Sequence, residues 1–367
     1  MPDEVIAWVT GYPAHYMREF HRKLKIKHVD QIQFIYTALS EKGAAFKHEQ
    51  GEIPENAHVI SMTEQVFNTW KLLNKIQPTT IIINGHYPKA NLIAAIWAKC
   101  YRRKLYYWAD TNIQDKRHKK RSLIRSTLID IFFYLPDTFF FIGTRNKEYY
   151  LSRISKRNNK PDLKFFPLPH NPKPFNSVSN ILPSKFTFLY LGRLAKEKGV
   201  DRILEAYSLL PEKVKKHSEL IVAGHGPEEE ILKKLASDLK INDNVKFMGT
   251  VMSEAVPNVI ASSNIVLMAS DNEPWGLIVN EALSTARPVI GPSSIGAFKD
   301  LIKDQVTGYE LVSSEQKLLR DAMVKAVENP EEVMKMGKAG QELIFKNEFN
   351  LDKSISVIDE LLKESAL

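Results

Sequence analysis

The chain has 367 residues, 44% of them hydrophobic, with 51 Lys/Arg against 43 Asp/Glu for a net charge of +8, and one cysteine. At about 100–200 residues per domain, this length predicts two domains that each bury a core, and it excludes a disordered, collagenous or disulfide-stapled chain. The charge is uneven, since residues 1–180 hold 28 Lys/Arg and 15 Asp/Glu (+13) and residues 181–367 hold 23 and 28 (−5), so the first half invites nucleic acid, a phosphorylated ligand or an anionic membrane.

The N-terminal stretch MPDEVIAWVTGYP has acids where a secretory signal has lysines, and its apolar run is short for a signal core. The longest greasy stretch, Leu128 to Ile142, contains Asp130, Pro136 and Asp137, whereas a spanning helix needs about 20 mostly apolar residues. A cytoplasmic chain without a transmembrane helix is expected, and the lone Cys100, which cannot form an internal disulfide, agrees with a reducing compartment.

Short β-branched or aromatic runs alternate with longer amphipathic stretches, the pattern of parallel sheets with crossover helices. Strands are expected at Val5–Thr10, Gln33–Tyr36, His58–Ser61, Thr80–Asn84, Leu105–Ala109 and Thr138–Ile142. The helix Thr63–Ile76 would put Val66, Trp70 and Leu73 on one face, and Ala90–Tyr101 would do the same with Ile93, Ile96 and Trp97. One doubly wound α/β domain is therefore predicted over residues 1–175. Pro167, Pro169, Pro172, Pro174 and Pro183, with Asn and Ser among them, resist helix and central strand and mark a linker.

Beyond the linker the alternation restarts, with strands at Phe186–Leu191, Leu220–Ala223, Val245–Met248 and Ile265–Met268 and helices at Val200–Leu210, Glu228–Leu239 and Glu254–Ser262. A second doubly wound domain is expected over residues 176–350. The tail Leu351–Leu367 reads as a helix with Ile355, Ile358, Leu361 and Leu362 as its apolar stripe, which could pack back toward the first domain. No low-complexity tract or 20–50-residue repeat is present. In open α/β sheets ligands sit outside the carboxyl ends of the strands, so function should lie in the strand-to-helix loops.

The loop Leu191-Gly192-Arg193-Leu194-Ala195-Lys196-Glu197-Lys198-Gly199-Val200 precedes a helix. Arg193 offers a planar fork suited to phosphate oxygens, Lys198 a mobile charge, and the helix its free N–H groups. A diphosphate site and a solvated basic loop both account for this segment. In Asn272-Glu273-Pro274-Trp275-Gly276-Leu277-Ile278-Val279-Asn280-Glu281-Ala282, a helix starting near Trp275 would leave Glu273 before it and Glu281 within it. Carboxylates suit sugar hydroxyls because each accepts two hydrogen bonds in a plane, and the N–H groups of Trp275, Gly276 and Leu277 could serve a phosphate. The plainer alternative is a first-turn acid and a helix-surface acid.

These loops together resemble the glycosyltransferases of the two-Rossmann-domain type called GT-B, and within them the retaining group numbered family 4. The resemblance rests on Gly192-Arg193, Lys198-Gly199-Val200, Gly224-His225-Gly226-Pro227 and Glu273 to Glu281-Ala282, in the family's order and at similar spacing. Val245–Gly249 and Gly291–Gly296 leading to Gly308-Tyr309 also match, so the likeness covers roughly Phe186 to Val312. It implies that Arg193 and Lys198 bind the donor's diphosphate, Glu281 the ribose hydroxyls and Glu273 the transferred sugar, with the Met248–Val251 loop, Gly249 included, flanking the base. The sequence departs from the family at Gly296-Ala297, where Gly-Gly is usual, at Asp300, where Glu is common, and at Trp275, where Phe is common, a change read as one of size rather than chemistry.

In the first half the likeness is weaker. Gly11-Tyr12-Pro13 follows the first strand, where the family has a glycine-rich loop near the diphosphate; His86 follows the fourth strand and Asp110 the fifth, as acceptor-side candidates. Each also has a bland reading, a turn glycine and structural hydrogen-bonders. The resemblance implies transfer of a sugar from a nucleotide donor to a hydroxyl of a glycan or lipid-linked glycan with retention, in which Arg193, Lys198 and helix N–H groups stabilise charge on the leaving diphosphate. Such chemistry would serve cell-surface polysaccharide or glycolipid assembly. No Asp-x-Asp is present to hold a metal against the diphosphate, so no metal or other cofactor is expected. The basic runs His21–Lys27, Arg102–Lys104 and Lys116–Arg121 suit an anionic bilayer at about 1 kcal/mol per basic residue near the surface, which predicts a peripheral enzyme at the inner face of the cell membrane; a solvated basic surface is the alternative. No nucleic-acid module appears. A GT-B nucleotide-sugar 2-epimerase or phosphorylase is the alternative activity, a binding-only protein is disfavoured by the intact motif residues, and a nicotinamide oxidoreductase fails for want of Gly-x-Gly-x-x-Gly after a first strand.

Overall fold

The computed structural model describes residues 4–11, 15–37, 57–61, 64–111, 123–155, 157–178 and 183–364. In chain order the first half forms β1 (Ile6–Thr10), α1 (His15–Lys27), β2 (Ile32–Thr37), β3 (His58–Ile60), α2 (Gln65–Ile76), β4 (Thr80–Asn84), α3 (Lys89–Cys100), β5 (Lys104–Trp108), α4 (Leu123–Phe132), β6 (Thr138–Phe141), α5 (Thr144–Ile154) and β7 (Asp162–Phe165). The second forms α6 (Lys173–Asn176), β8 (Phe186–Leu191), α7 (Val200–Ser208), α8 (Glu212–Lys216), β9 (Ser218–Ala223), α9 (Glu229–Asp238), β10 (Val245–Gly249), α10 (Val256–Ala261) and β11 (Ile265–Leu267). It continues with α11 (Leu277–Ser284), β12 (Val289–Pro292), α12 (Phe298–Leu301), β13 (Gly308–Leu311), α13 (Gln316–Glu328), α14 (Pro330–Lys346) and α15 (Leu351–Glu364).

Both sheets are wholly parallel, in the orders β3-β2-β1-β4-β5-β6-β7 and β10-β9-β8-β11-β12-β13. Each is doubly wound, as the alternation predicts. A parallel strand covered by helices on both faces is apolar throughout, and β1 and the body of β4 are buried at every position. The order reverses between β1 and β4 in one sheet and between β8 and β11 in the other.

The chain divides into two compact units, one made of residues up to Pro169 together with 351–367, the other running from His170 to Asn350. The division thus falls at Pro169/His170, ahead of the expected 175/176, because the proline-rich segment already packs within the second unit and includes the short α6. The terminal helix belongs to the first unit: Lys27 Nζ and His28 Nε2 bind the Asp359 carboxylate at 2.6 and 2.7 Å, and Ser354 Oγ donates to Pro167 O at 3.1 Å.

Two helical faces differ from expectation. In α2 the buried residues are Gln65, Thr69 and Leu73, and Val66 is 52% exposed. Polar contacts set this rotation, since Gln65 Oε1 accepts the Ala90 N–H at 3.4 Å and Asn74 Oδ1 accepts the Trp97 indole N–H at 2.7 Å. In α3 it is Ala90, Ala94, Ala95 and Ala98 that face inward with Trp97, and Ile96 is turned out, because alanines let a helix lie close to a sheet.

Candidate functional site

The reversal of strand order in the second unit juxtaposes the loops after β8 and β11, and these carry the two strongest motifs. Arg193 is exposed, and no described residue pairs with its guanidinium. Its backbone is nevertheless fixed: Tyr190 Oη donates to Arg193 O at 2.8 Å, Gly192 N to Ala223 O at 3.0 Å and Leu194 N to His225 O at 3.0 Å. The Gly224–Pro227 turn lies against this loop so closely that a Cβ at Gly224 would stand 1.9 Å from Gly192 O, and one at Gly226 would stand 2.2 Å from Leu194 O. Those glycines therefore permit backbone contact and leave Arg193 projecting from a rigid base.

Lys198 ends a single 3-10 turn, Lys196–Lys198, before Gly199 at φ +66° leads into α7. Its Nζ donates to Glu273 Oε2 at 2.5 Å, and Ser270 Oγ donates to the same oxygen at 3.3 Å. The two loops are tied together behind this pair by Asp271 N to Glu197 O at 2.9 Å and by Arg202 Nη1 to Asp271 Oδ2 at 3.0 Å.

The helix bearing Glu281 begins at Leu277, two residues later than expected, with Gly276 before it at φ +92° and no side-chain cap. A Cβ at Gly276 would meet Ile295 and Glu273 side-chain carbons at 3.0 and 3.1 Å. Glu273 O accepts the Gly296 N–H at 3.1 Å and Trp275 O the Ala297 N–H at 2.8 Å, while a Cβ at Gly296 would fall 1.8 Å from Pro274 O. Only the first position of the family's Gly-Gly therefore has to be glycine for this approach, which accounts for Ala297. Glu281 is half-buried, none of the described residues pairs with its carboxylate, and burial pushes that carboxyl up to about 7.

Trp275 differs from a phenylalanine in chemistry as well as size: its Nε1 donates to Asn280 Oδ1 at 2.9 Å, and its ring stacks on Phe349 at 5.4 Å between centroids. Gly249, at φ +76°, ends β10, and its carbonyl accepts the Gly224 N–H at 2.7 Å. Met248 and Met252 are exposed beside it.

In the first unit, Gly11, His86 and Asp110 follow β1, β4 and β5, three adjacent strands. Among the described residues, chain neighbours aside, no heavy atom lies within 4 Å of a notional Cβ at Gly11; Tyr12, Pro13 and the Lys116–Arg121 run lie outside the described residues. The loop bearing His86 is held by Asn91, a buried residue of α3 whose Nδ2 meets the carbonyls of Asn84, Gly85 and Tyr87 at 2.6, 3.2 and 3.2 Å. The His86 ring is 6.3 Å from that of Phe132. A second buried asparagine, Asn146 of α5, donates to Ala109 O and Thr111 O at 3.1 and 2.5 Å and so brackets Asp110, which is exposed. Burial and, to a lesser degree, the Asp110 charge raise the Tyr16 hydroxyl. The basic run His21–Lys27 is not one surface: His21 is buried against Phe34 and Tyr36, and Lys27 is paired with Asp359. Asn91, Asn146 and Asn280 escaped the motif search; an asparagine on the apolar face of a helix is the signal that marks all three.

Residues 173–343 match the family model described as Glycosyl transferases group 1. This segment, a little under half of the chain, is similar to the group 1 glycosyltransferases. Among curated relatives, alpha-D-kanosaminyltransferase of Streptomyces kanamyceticus is 30% identical over 143 residues, 39% of this chain and 36% of that protein. N-acetyl-alpha-D-glucosaminyl L-malate synthase of Bacillus anthracis is 26% identical over 176 residues, 48% and 45% respectively. The chain thus spans less than half the length of these relatives. HepE of Anabaena in complex with UDP superposes with a TM-score of 0.79 over 98% of this chain and 100% of that one, at 16% identity; its complex with UDP and glucose gives 0.77 at 17% over the same shares. The fold is GT-B, and the segment that matches the group 1 model contains Arg193, Lys198, Glu273 and Glu281.

Proposed function

We propose that the chain is a retaining glycosyltransferase that moves a sugar from a nucleotide-sugar donor to a hydroxyl of a glycan or lipid-linked glycan, without a metal. The Lys198–Glu273 contact of 2.5 Å carries this reading. In a nucleotide-sugar the anomeric carbon is bonded directly to a phosphate oxygen, so the group that holds the sugar and the group that holds the diphosphate must be neighbours. Glu273 would accept sugar hydroxyls while Lys198 and the exposed Arg193 take the phosphates, and Glu281 would take the ribose hydroxyls. The UDP in the HepE complexes favours a uridine donor.

As the C1–O bond to the diphosphate breaks, negative charge grows on that oxygen, where Arg193 and Lys198 stabilise it. The acceptor oxygen bonds to C1 on the same face and gives its proton to the departing phosphate oxygen. His86 and Asp110 would face the acceptor. A thermal-shift screen with UDP, GDP, dTDP and ADP tests the donor site, since a ligand selective for the folded state raises its stability; no shift with any of them removes the reading. Labelled donor incubated with and without acceptor separates transfer from 2-epimerisation or phosphorolysis. Action at an anionic membrane is part of the proposal: charge reversal across Lys116–Arg121 should lower pelleting with anionic vesicles, and unchanged pelleting would return that run to a solvated face.

A further inference from the structure

Helix α11 is only eight residues long, begins at an uncapped glycine and carries Glu281, whose carboxylate no described side chain holds. Its rotation about its own axis is fixed instead through the neighbouring buried positions. Asn280, 1% exposed, accepts the Trp275 indole N–H through Oδ1 at 2.9 Å and directs Nδ2 to Phe349 O at 3.4 Å. One turn on, Ser284 Oγ donates to Asn280 O at 2.7 Å and lies 2.8 Å from Nε2 of His170, which is also buried. Phe349 and His170 stand at the two ends of the second unit, so the helix is gripped by the first and last segments of that unit.

We propose that Asn280 and Trp275 are a matched pair of positioning residues that set the azimuth of α11 and thereby the placement of Glu281 relative to Glu273. Neighbouring residues on a helix point about 100° apart, so a residue locked inside fixes the one beside it. With a side-chain radius of about 5–6 Å, a rotation of about 20° moves a carboxylate by about 2 Å, and a misplacement of about 1 Å is enough to cost on the order of 100-fold in rate. The pairing is reciprocal. Phenylalanine at 275 leaves the buried Asn280 oxygen without its donor, and an aliphatic residue at 280 leaves the indole N–H without its acceptor, whereas changing both removes the two polar groups together.

This inference rests on the donor reading of Glu281, and the test has one arm that does not. The proteins compared are wild type, Trp275→Phe, Asn280→Leu and the double variant. In the first arm, the Glu281 carboxyl carbon is titrated by NMR in the ligand-free protein. A shifted azimuth should move its midpoint down from near 7 in each single variant, and the double variant should return toward wild type. In the second arm, UDP is the probe. Each single substitution should weaken UDP binding about 10-fold or more, with partial recovery in the double. If the single variants lose thermal stability but leave the Glu281 titration unchanged, the pair is structural only and the proposal fails. If the titration moves as expected but wild type shows no response to UDP, the positioning stands and the uridine assignment fails.

Discussion

Lys198 and Glu273, 75 positions apart in the chain, meet at 2.5 Å because their strands, β8 and β11, are neighbours where the second sheet reverses its order. The contact places the cation proposed to hold phosphate against the carboxylate proposed to hold sugar hydroxyls.

Glu273→Ala should lower transfer at least 100-fold while leaving UDP binding within a few-fold, because the contact removed is the one proposed for the sugar. Steady-state donor turnover alongside UDP titration separates the two effects. Turnover near that of the wild type would remove Glu273 from the site.

Gly224→Ala should disturb the loop that presents Arg193, since its Cβ would stand 1.9 Å from Gly192 O on an already left-handed backbone at φ +135°. A cost of about 2–4 kcal/mol is expected, as for other overpacked or strained sites. Denaturant unfolding measures it, and UDP affinity should fall with it. A substitution that changes neither would mean that this close approach does not hold the loop.

Glu281 gives a pH dependence whose sign follows from its raised pKa. The unfolded carboxyl ionises near its ordinary value of 4.5 and the folded one only near 7, so stability declines as pH rises from about 4.5 to 7 and the loss is complete above that. Glu281→Gln should therefore stabilise the ligand-free protein at pH 8 by on the order of 1–3 kcal/mol and give little gain at pH 4. Chemical denaturation at both pH values decides this.

His21 and His170 act at the acid end. Burial lowers both imidazoles to about 3 from the ordinary 6.5, so the unfolded chain takes up protons below 6.5 that the folded chain refuses, and stability falls as pH drops toward 3. His21→Phe should shift the acid-unfolding midpoint downward, provided that the loss of the Tyr36 contact at 2.8 Å costs less than the relief of protonation. An unchanged midpoint would mean that other groups govern acid unfolding.

Asn146→Ala removes the donor that reaches Ala109 O and Thr111 O on either side of Asp110. A loss of about 1–3 kcal/mol is expected, because the buried Ile142 N–H loses its acceptor Asn146 Oδ1 at 3.0 Å and Thr111 O loses its donor, while Ala109 O keeps the Tyr150 hydroxyl. Acceptor-dependent turnover should decline more than donor hydrolysis, which a product assay with and without acceptor distinguishes. Equal decline would detach Asp110 from the acceptor.

The sequence by itself determined the two parallel α/β folds and the loops proposed to hold the donor. Strands such as Ile6–Thr10, apolar up to the final threonine and buried at every position, fit sheets covered on both faces, and the Arg193, Lys198, Glu273 and Glu281 motifs are local runs whose spacing survives in one dimension. Only the tertiary structure decided how those loops are held and how the helices are turned. Val66 faces out because Gln65 and Asn74 find partners on α3, and the indole of Trp275 acquires chemistry because Asn280 and Phe349 close around it. A hydrogen bond between segments distant in sequence leaves no periodicity, so the buried asparagines and the backbone contacts that require Gly224, Gly226 and Gly296 become legible only when the chain is folded.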